Sequence, residues 1–468
     1  MMQYLSSELS AVRLYVYDMS PFFNFNITAL APGSRSCNEC RAFSTGKPDF
    51  GGQELADLCN YGYGSPLPFP SSHPLHGVAW SNNDGNTDIY HLFHRLLNSS
   101  YRVNDPIEAN VFFLATPFYQ ISRKQYPRYE PCGVLHNDGD WTAMFDWLGK
   151  QPAFTRSGGK DHFVFLPSPY IHSRKGAPFV GRGPWADHRV HDMLMQNVIK
   201  ASHEGYPVER AVAMPYGTFI HTHRNLDLPA TLDRIFNKTR QHSIVYIGSM
   251  WRGSKRPEQF PNKLKNWEIK RNVGVFCHQT PSCKPLFLDA PPGPSFAEAL
   301  ALNDNASSNI LPRCSNASLP SRVAAAWPDL SIAERECAYP QLLYLDAEFC
   351  LTPPGDTQTR KSLFDALVMG CIPVWFDRLT AQYPWFWTDS SIERFAIVVS
   401  PEALSTRGGV LAVLEAVTED QRKQLRANIR FLWPFLQYGY DESVDGSLDA
   451  VDVLLANVHN TSLQAVLS

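Results

Sequence analysis

Apolar positions along the chain switch between continuous runs and a three-four spacing, and each switch marks a predicted element. Phe349, Cys350 and Leu351 form a short apolar run that stops at Pro353-Pro354-Gly355, which suits a buried strand ending in a turn. Over residues 359–369 the spacing becomes helical, with Leu363, Phe364, Leu367 and Val368 on one face. Thr357 or Thr359 is placed to cap that helix, and Gly370 stands where helices commonly end in a left-handed residue. Residues 372–376 are a second apolar strand. The stretch predicts a βαβ unit, and such units build parallel sheets with ligands at the carboxyl ends of their strands.

The rest of the chain reads in the same way. Residues 12–17 predict a first strand, and 88–97 an amphipathic helix with Ile89, Leu92, Phe93 and Leu96 on one side. Strands are predicted at 111–114, 163–166 and 211–214, with a helical pattern over 190–202. Residues 24–85, rich in Gly, Pro, Ser and Asn, read as a surface excursion pinned by disulfides. A boundary falls near 234–242. After it come a strand at 244–247, a helix at 262–272, a strand at 273–277 and a polar insertion at 278–331. A strand at 396–399 and a long helix at 415–435 complete the pattern. Alternating strands and helices specify doubly wound α/β sheets. The predicted domains are 1–236 and 237–440, followed by a tail, 441–468.

Composition narrows the class. A chain of 468 residues is too long for one ordinary core, and 44% hydrophobic with 19% charged residues describes a folded protein. The net charge of −3, with no dense lysine and arginine stripe, argues against a nucleic-acid partner. Ten cysteines suffice for several bridges without forming a disulfide scaffold, and Cys37-x-x-Cys40 has no second pair with zinc-finger spacing. Six acceptor sequons, at Asn26, Asn98, Asn237, Asn305, Asn316 and Asn460, tilt the compartment towards the secretory lumen.

The chemistry is concentrated in the first stretch. A loop that ends at a helix N-terminus is an anion site, because unpaired N–H groups and the helix dipole point at the ligand. Gly355 allows close approach there, and Arg360 and Lys361 fall in the first turn, where cations oppose the dipole unless an anion sits beside them. A solvated basic turn fits the same spacing, and Asp365 also fits an ordinary buried carboxylate. Neither a P-loop nor a dinucleotide fingerprint occurs. Asp138-Gly139-Asp140 has the D-x-D form of metal-dependent sugar transferases but reads better as a turn, and His221 and His223 lack a further metal partner. The aromatic run 383–387 fits a sugar platform and a core plug equally well.

The string FCLTPPGDTQTRKSLFDALVMGCIPVWFD at 349–377 resembles the signature of exostosin-like glycosyltransferases (family 47), and is nearest their plant branch, which includes xyloglucan galactosyltransferases. VRLYVYDM at 12–19, the stretch 86–119, GGKDHFVF at 158–165 and IVYIGSMWRG at 244–253 resemble the same family in order. The resemblance implies a GT-B fold, in which the tail, 441–468, packs back on the first domain, and inverting, metal-independent transfer from a UDP-sugar to a polysaccharide or glycoprotein glycan. It places Gly355, Asp356, Arg360, Ser362 and Asp365 at donor-binding positions, with Asp365 on the ribose. Gly248 and Arg252 resemble the second half of a diphosphate clamp. No cofactor is implied besides the donor substrate. The implied partners are the UDP-sugar, the glycan acceptor, and a second copy or another glycosyltransferase in a dimer. A non-catalytic subunit of such a pair is the alternative function. Relatives carry an N-terminal Golgi anchor, and no apolar run here reaches the roughly 18 residues a spanning helix needs. For the catalytic base, His162 beside Asp161 is the candidate and Asp88 the reserve; a structural histidine at a strand end and a helix N-cap are the plainer readings of the two.

Overall fold

The computed structural model describes residues 2–17, 71–80, 88–115, 146–165, 197–203, 210–218, 220–222, 226–248, 261–287, 341–355, 360–376, 392–404, 406, 408–439 and 448–467. Two five-stranded parallel sheets organise them. The first runs β1 (Leu14–Val16), β3 (Val111–Leu114), β4 (His162–Phe165), β5 (Ile199–Ser202) and β6 (Ala211–Ala213). The second, edge to edge, runs β12 (Ile397–Val398), β11 (Ile372–Trp375), β10 (Ala347–Thr352), β8 (His242–Gly248) and β9 (Cys283–Phe287). β3, β4 and β11 are buried along their whole length, as parallel strands covered on both faces must be. A short antiparallel pair, β2 (Ala79–Trp80) with β7 (Ile220–His221), stands apart. This is the expected GT-B architecture of two Rossmann-like sheets.

Each sheet has its own core. Phe112, Phe113, Phe163 and Phe165 centre the first; Tyr246, Phe349, Leu351, Phe364 and Trp375 belong to the second. The cores divide earlier than residue 236, because α4 (Leu228–Phe236) and Ile220 pack into the second core. Leu75 and Val78, from the predicted excursion, do the same. The chain crosses back near 433–438: Trp433 and Leu436 lie in the second core, Phe435 and Tyr438 in the first. The last helix, α9 (Ala450–Leu467), then packs on β3, β5 and β6 and against α1 (Met2–Ala11). Arg95, on α2 (Asp88–Leu97), holds it through Asp449 (2.8 Å) and Asp452 (3.0 Å).

Several predicted elements differ. Residues 199–202 are strand, not helix: Lys200 and Ser202 are buried between neighbours, so polar residues disguised a core strand. Residues 273–277 are not a strand; α5 (Pro261–Gln279) runs through them, with Ile269, Val273 and Cys277 buried at intervals of four. The strand comes later, at β9. The helix predicted over 415–435 is α8 (Glu419–Leu432), which starts later, at the reciprocal capping box of Thr418 and Gln421, and a separate helix, α7 (Gly409–Glu415), precedes it.

Candidate functional site

The order of the second sheet locates a crevice. β8 leads through α5 to β9 on one side, and the chain then returns to place β10 on the other side of β8. Such a reversal separates the loops above the two strands and opens a ligand crevice at their carboxyl ends. Gly248 ends β8, and Pro353-Pro354-Gly355 leaves β10 beside it, since Leu351 pairs with Tyr246. Two predicted groups far apart in sequence therefore meet on one rim.

The helix below that rim, α6 (Lys361–Val368), follows from its apolar spacing, with Leu363, Phe364, Leu367 and Val368 buried. Its N-cap is Arg360, in extended conformation and with no side-chain cap, so the expected threonine cap is replaced by a cation. The Arg360 side chain thus gives the N–H groups of the first turn no capping bond, while its carbonyl accepts from the Leu363 N–H at 3.0 Å. At Gly355 the backbone is in close contact with Arg360, since a Cβ there would come within 2.7 Å of Cδ and Nε of that side chain and would displace it. The Arg360 side chain lies against Gly355, beside the end of β10. A Cβ on Gly248 would lie 2.6 Å from the Tyr246 hydroxyl, so this position is equally confined.

Lys361 is held differently. Its Nζ bonds both oxygens of Asp365, at 2.8 and 2.9 Å, one turn along the helix. Asp365 is only 4% exposed, so the pair answers a carboxylate that burial would otherwise penalise. The Tyr344 hydroxyl is pushed up by burial and then by the charge of Asp365 nearby. Ser362 is half-buried in the first turn. Below, Gly370 takes the left-handed conformation (φ 67°) and Cys371 bridges to Cys350 of β10, which ties the return of the helix to the strand. Asp356 and Arg252 lie outside the described residues, as do Asp138 to Asp140, His223 and the aromatic run.

His162 lies elsewhere. It is the first residue of β4, at the amino end of the strand, opposite the end where ligands bind. It is wholly buried, stacked on Phe112 at 4.6 Å between ring centroids. Nδ1 is 2.6 Å from Asp161 and Nε2 is 3.0 Å from the Tyr17 hydroxyl, so the neutral ring donates to the carboxylate and accepts from the phenol. Burial lowers its pKa against the opposing pull of Asp161. Ser157 also donates to Asp161, at 2.5 Å. Asp88 begins α2, whose Leu92 and Leu96 belong to the first core.

One contact was missed by sequence reasoning. His203 follows β5 at its carboxyl end, donates from Nδ1 to the Pro215 carbonyl (3.1 Å), and stacks on Tyr216 at 4.2 Å. Tyr216 in turn meets Phe364 of α6 at 5.7 Å. The carboxyl rim of the first sheet is therefore joined to the helix under the crevice. No short-range pattern in 203–216 signals this.

The profile of the Exostosin GT47 domain matches residues 8–414. The "Xyloglucan-specific galacturonosyltransferase 1" of Arabidopsis thaliana is 25% identical over 91% of this chain and 53% of its own. The "Probable xyloglucan galactosyltransferase GT20" is 26% identical over 74% and 52%, and the "Probable xyloglucan galactosyltransferase GT19" is 34% identical over 78% and 76%, both from the same plant. The chain spans about half the length of the first two. Among solved structures, an alpha,alpha-trehalose 6-phosphate synthase from Burkholderia multivorans is similar over 97% of this chain and 98% of its own, with 10% identity and a TM-score of 0.32.

Proposed function

The chain belongs to the exostosin GT47 family, and on that premise we propose that it transfers a sugar from a UDP donor to a hydroxyl of a xyloglucan-type polysaccharide, with inversion and without a metal. The observation that supports this most is the basic N-cap at Arg360 set on the rim between β8 and β10. In the reaction the acceptor oxygen bonds to the anomeric carbon as the bond from that carbon to UDP breaks. The electron pair leaves with the diphosphate, and the acceptor proton passes to a base. In this reading Arg360 and the N-terminus of α6 meet the charge that develops on the leaving group, and Gly355 and Gly248 let the backbone approach it. Asp365 is the candidate for the ribose hydroxyls, with Lys361 holding it in place.

We assign His162 and Asp161 to holding the amino end of β4 rather than to taking the acceptor proton. A wholly buried ring with both nitrogens engaged, at the wrong end of its strand, does not reach an acceptor hydroxyl. The base belongs on the carboxyl rim of the first sheet. Two disulfides, Cys277–Cys283 and Cys350–Cys371, support action in an oxidising Golgi lumen. Among the described residues no helix is long and apolar enough to cross a membrane.

The test is transfer onto xyloglucan oligosaccharides from UDP-galactose, UDP-galacturonate, UDP-xylose and UDP-arabinofuranose, in the presence of a chelator. We expect one donor to be used, with the chelator without effect, and Arg360→Ala to lower turnover by about 10²–10³, the usual scale for losing one group that meets developing charge. Loss of activity with the chelator rules out the metal-free reading, and a fully active Arg360→Ala variant rules out the role of the basic cap.

A further inference from the structure

We propose that Asn98 and Asn237 carry N-linked glycans while Asn460 does not, and that the two glycans lie on the side of the protein away from the crevice. The proposal rests on the lumenal reading above.

Three of the six sequons fall on described residues, and they sit in different settings. Asn98-Ser99-Ser100 directly follows the last residue of α2, with Asn98 and Ser100 exposed. Asn237-Lys238-Thr239 begins at the C-cap of α4, where the chain leaves the helix and both Asn237 and Thr239 are exposed. A bulky, solubilising glycan needs such an outward turn. Asn460-Thr461-Ser462 lies inside α9. Its neighbours are committed to packing: His459 and Ser462 are each 5% exposed, and His459 pairs with Glu8 of α1. Thr461 donates its hydroxyl proton to the Asn457 carbonyl within the helix. Asn460 and Thr461 are themselves half-buried in regular helix, so the sequon has no outward turn from which a glycan could leave.

The topology fixes where the two exposed sequons lie. Residues 101 and 103 bond with Leu14, the first residue of β1, so Asn98 stands beside the amino edge of the first sheet. Asn237 precedes β8, whose first residue is His242, so it stands at the amino edge of the second. The crevice opens at the carboxyl edges, where Gly248 and Gly355 lie. Glycans on these two residues therefore leave donor and acceptor free to enter. The step is ordinary glycosyl transfer by the host's machinery. The Asn Nδ2 bonds to the anomeric carbon of an oligosaccharide, the bond from that carbon to a lipid diphosphate breaks, and the displaced Nδ2 proton is lost.

The experiment expresses the full chain through a eukaryotic secretory pathway, releases N-glycans enzymatically in ¹⁸O water, and reads the sequon peptides by mass spectrometry. The expected result is ¹⁸O-aspartate at 98 and 237 and unlabelled asparagine at 460. Labelling at other sequons with 98 or 237 unmodified, or labelling at 460, overturns the proposal and leaves the lumenal reading standing. No label at any of the six sequons overturns both. The Asn98→Gln, Asn237→Gln double variant is expected to lower secreted yield while leaving transfer activity per folded molecule unchanged. A change in that activity of more than twofold overturns the placement away from the crevice.

Discussion

At the residue scale, adjacent side chains differ in what they can do because of what already holds them. Arg360 lies over Gly355 at the crevice, whereas Lys361 is committed to Asp365. If Asp365 meets the ribose, Asp365→Ala weakens uridine and UDP binding by the same factor, measured by calorimetry. A loss confined to UDP would place the defect at the diphosphate, through a released Lys361. His162 gives a pH signature of a structural kind. Its pKa is lowered in the fold, so below the ordinary value of about 6.5 the unfolded chain takes up a proton that the folded ring refuses. The stability linked to His162 is therefore complete above about pH 6.5 and is lost as pH falls. Thermal melts of His162→Gln should show a shallower fall in Tm between pH 7 and 5 than the parent. Equal slopes would remove the linkage. Arg360 and Asp365 were legible from the sequence because they sit in a short βαβ stretch. The amino-end position of His162 was legible too, since the predicted strand 163–166 begins beside it and parallel sheets take ligands at the other end; only its burial and its bond to Tyr17 required the fold.

At the element scale, the βαβ unit from β10 to β11 was legible because strand and helix periods alternate within thirty residues and glycine marks both turns. Its Cys350–Cys371 bridge required the fold, where the end of α6 is brought back beside β10. Closing a loop of 21 residues limits the unfolded chain and contributes about 3 kcal/mol in the chain-entropy account. A Cys350→Ala, Cys371→Ala variant should melt earlier and bind UDP more weakly, as α6 loosens under the rim. Unchanged UDP affinity with a lowered Tm would show that the bridge serves stability alone. The errors at 199–202 and 273–277 share one cause. Lys200 and Ser202 made a core strand look polar, and β-branched Val273 and Val275 made a helix look extended; in both, tertiary packing outweighed local preference.

At the scale of the whole molecule, the last helix belongs to the first sheet although the chain reaches it from the second. That return was legible only through the family resemblance, because the Arg95, Asp449 and Asp452 cluster joins residues more than 350 positions apart. Removing the cation from two buried carboxylates costs about 3–5 kcal/mol, so Arg95→Met should destabilise the first domain by that order in urea unfolding. The Asp452 carboxyl is pushed up to about 7, chiefly by burial and then by Asp449. The folded state thus holds a proton that the unfolded chain releases above about 4, and docking of α9 weakens as pH rises through 7. Asp452→Asn should flatten that dependence in melts between pH 5 and 8, and an unaltered profile would contradict it. With both sheets in place, the central claim is that the crevice above β8 and β10 binds a nucleotide diphosphate against Arg360. The most direct measurement is a calorimetric titration of the full chain with UDP, repeated on Arg360→Ala. The account predicts saturable binding of one UDP per chain, at least tenfold weaker in the variant, with both proteins melting at the same temperature. Absence of UDP binding to the parent, or equal affinity in the two, would contradict it.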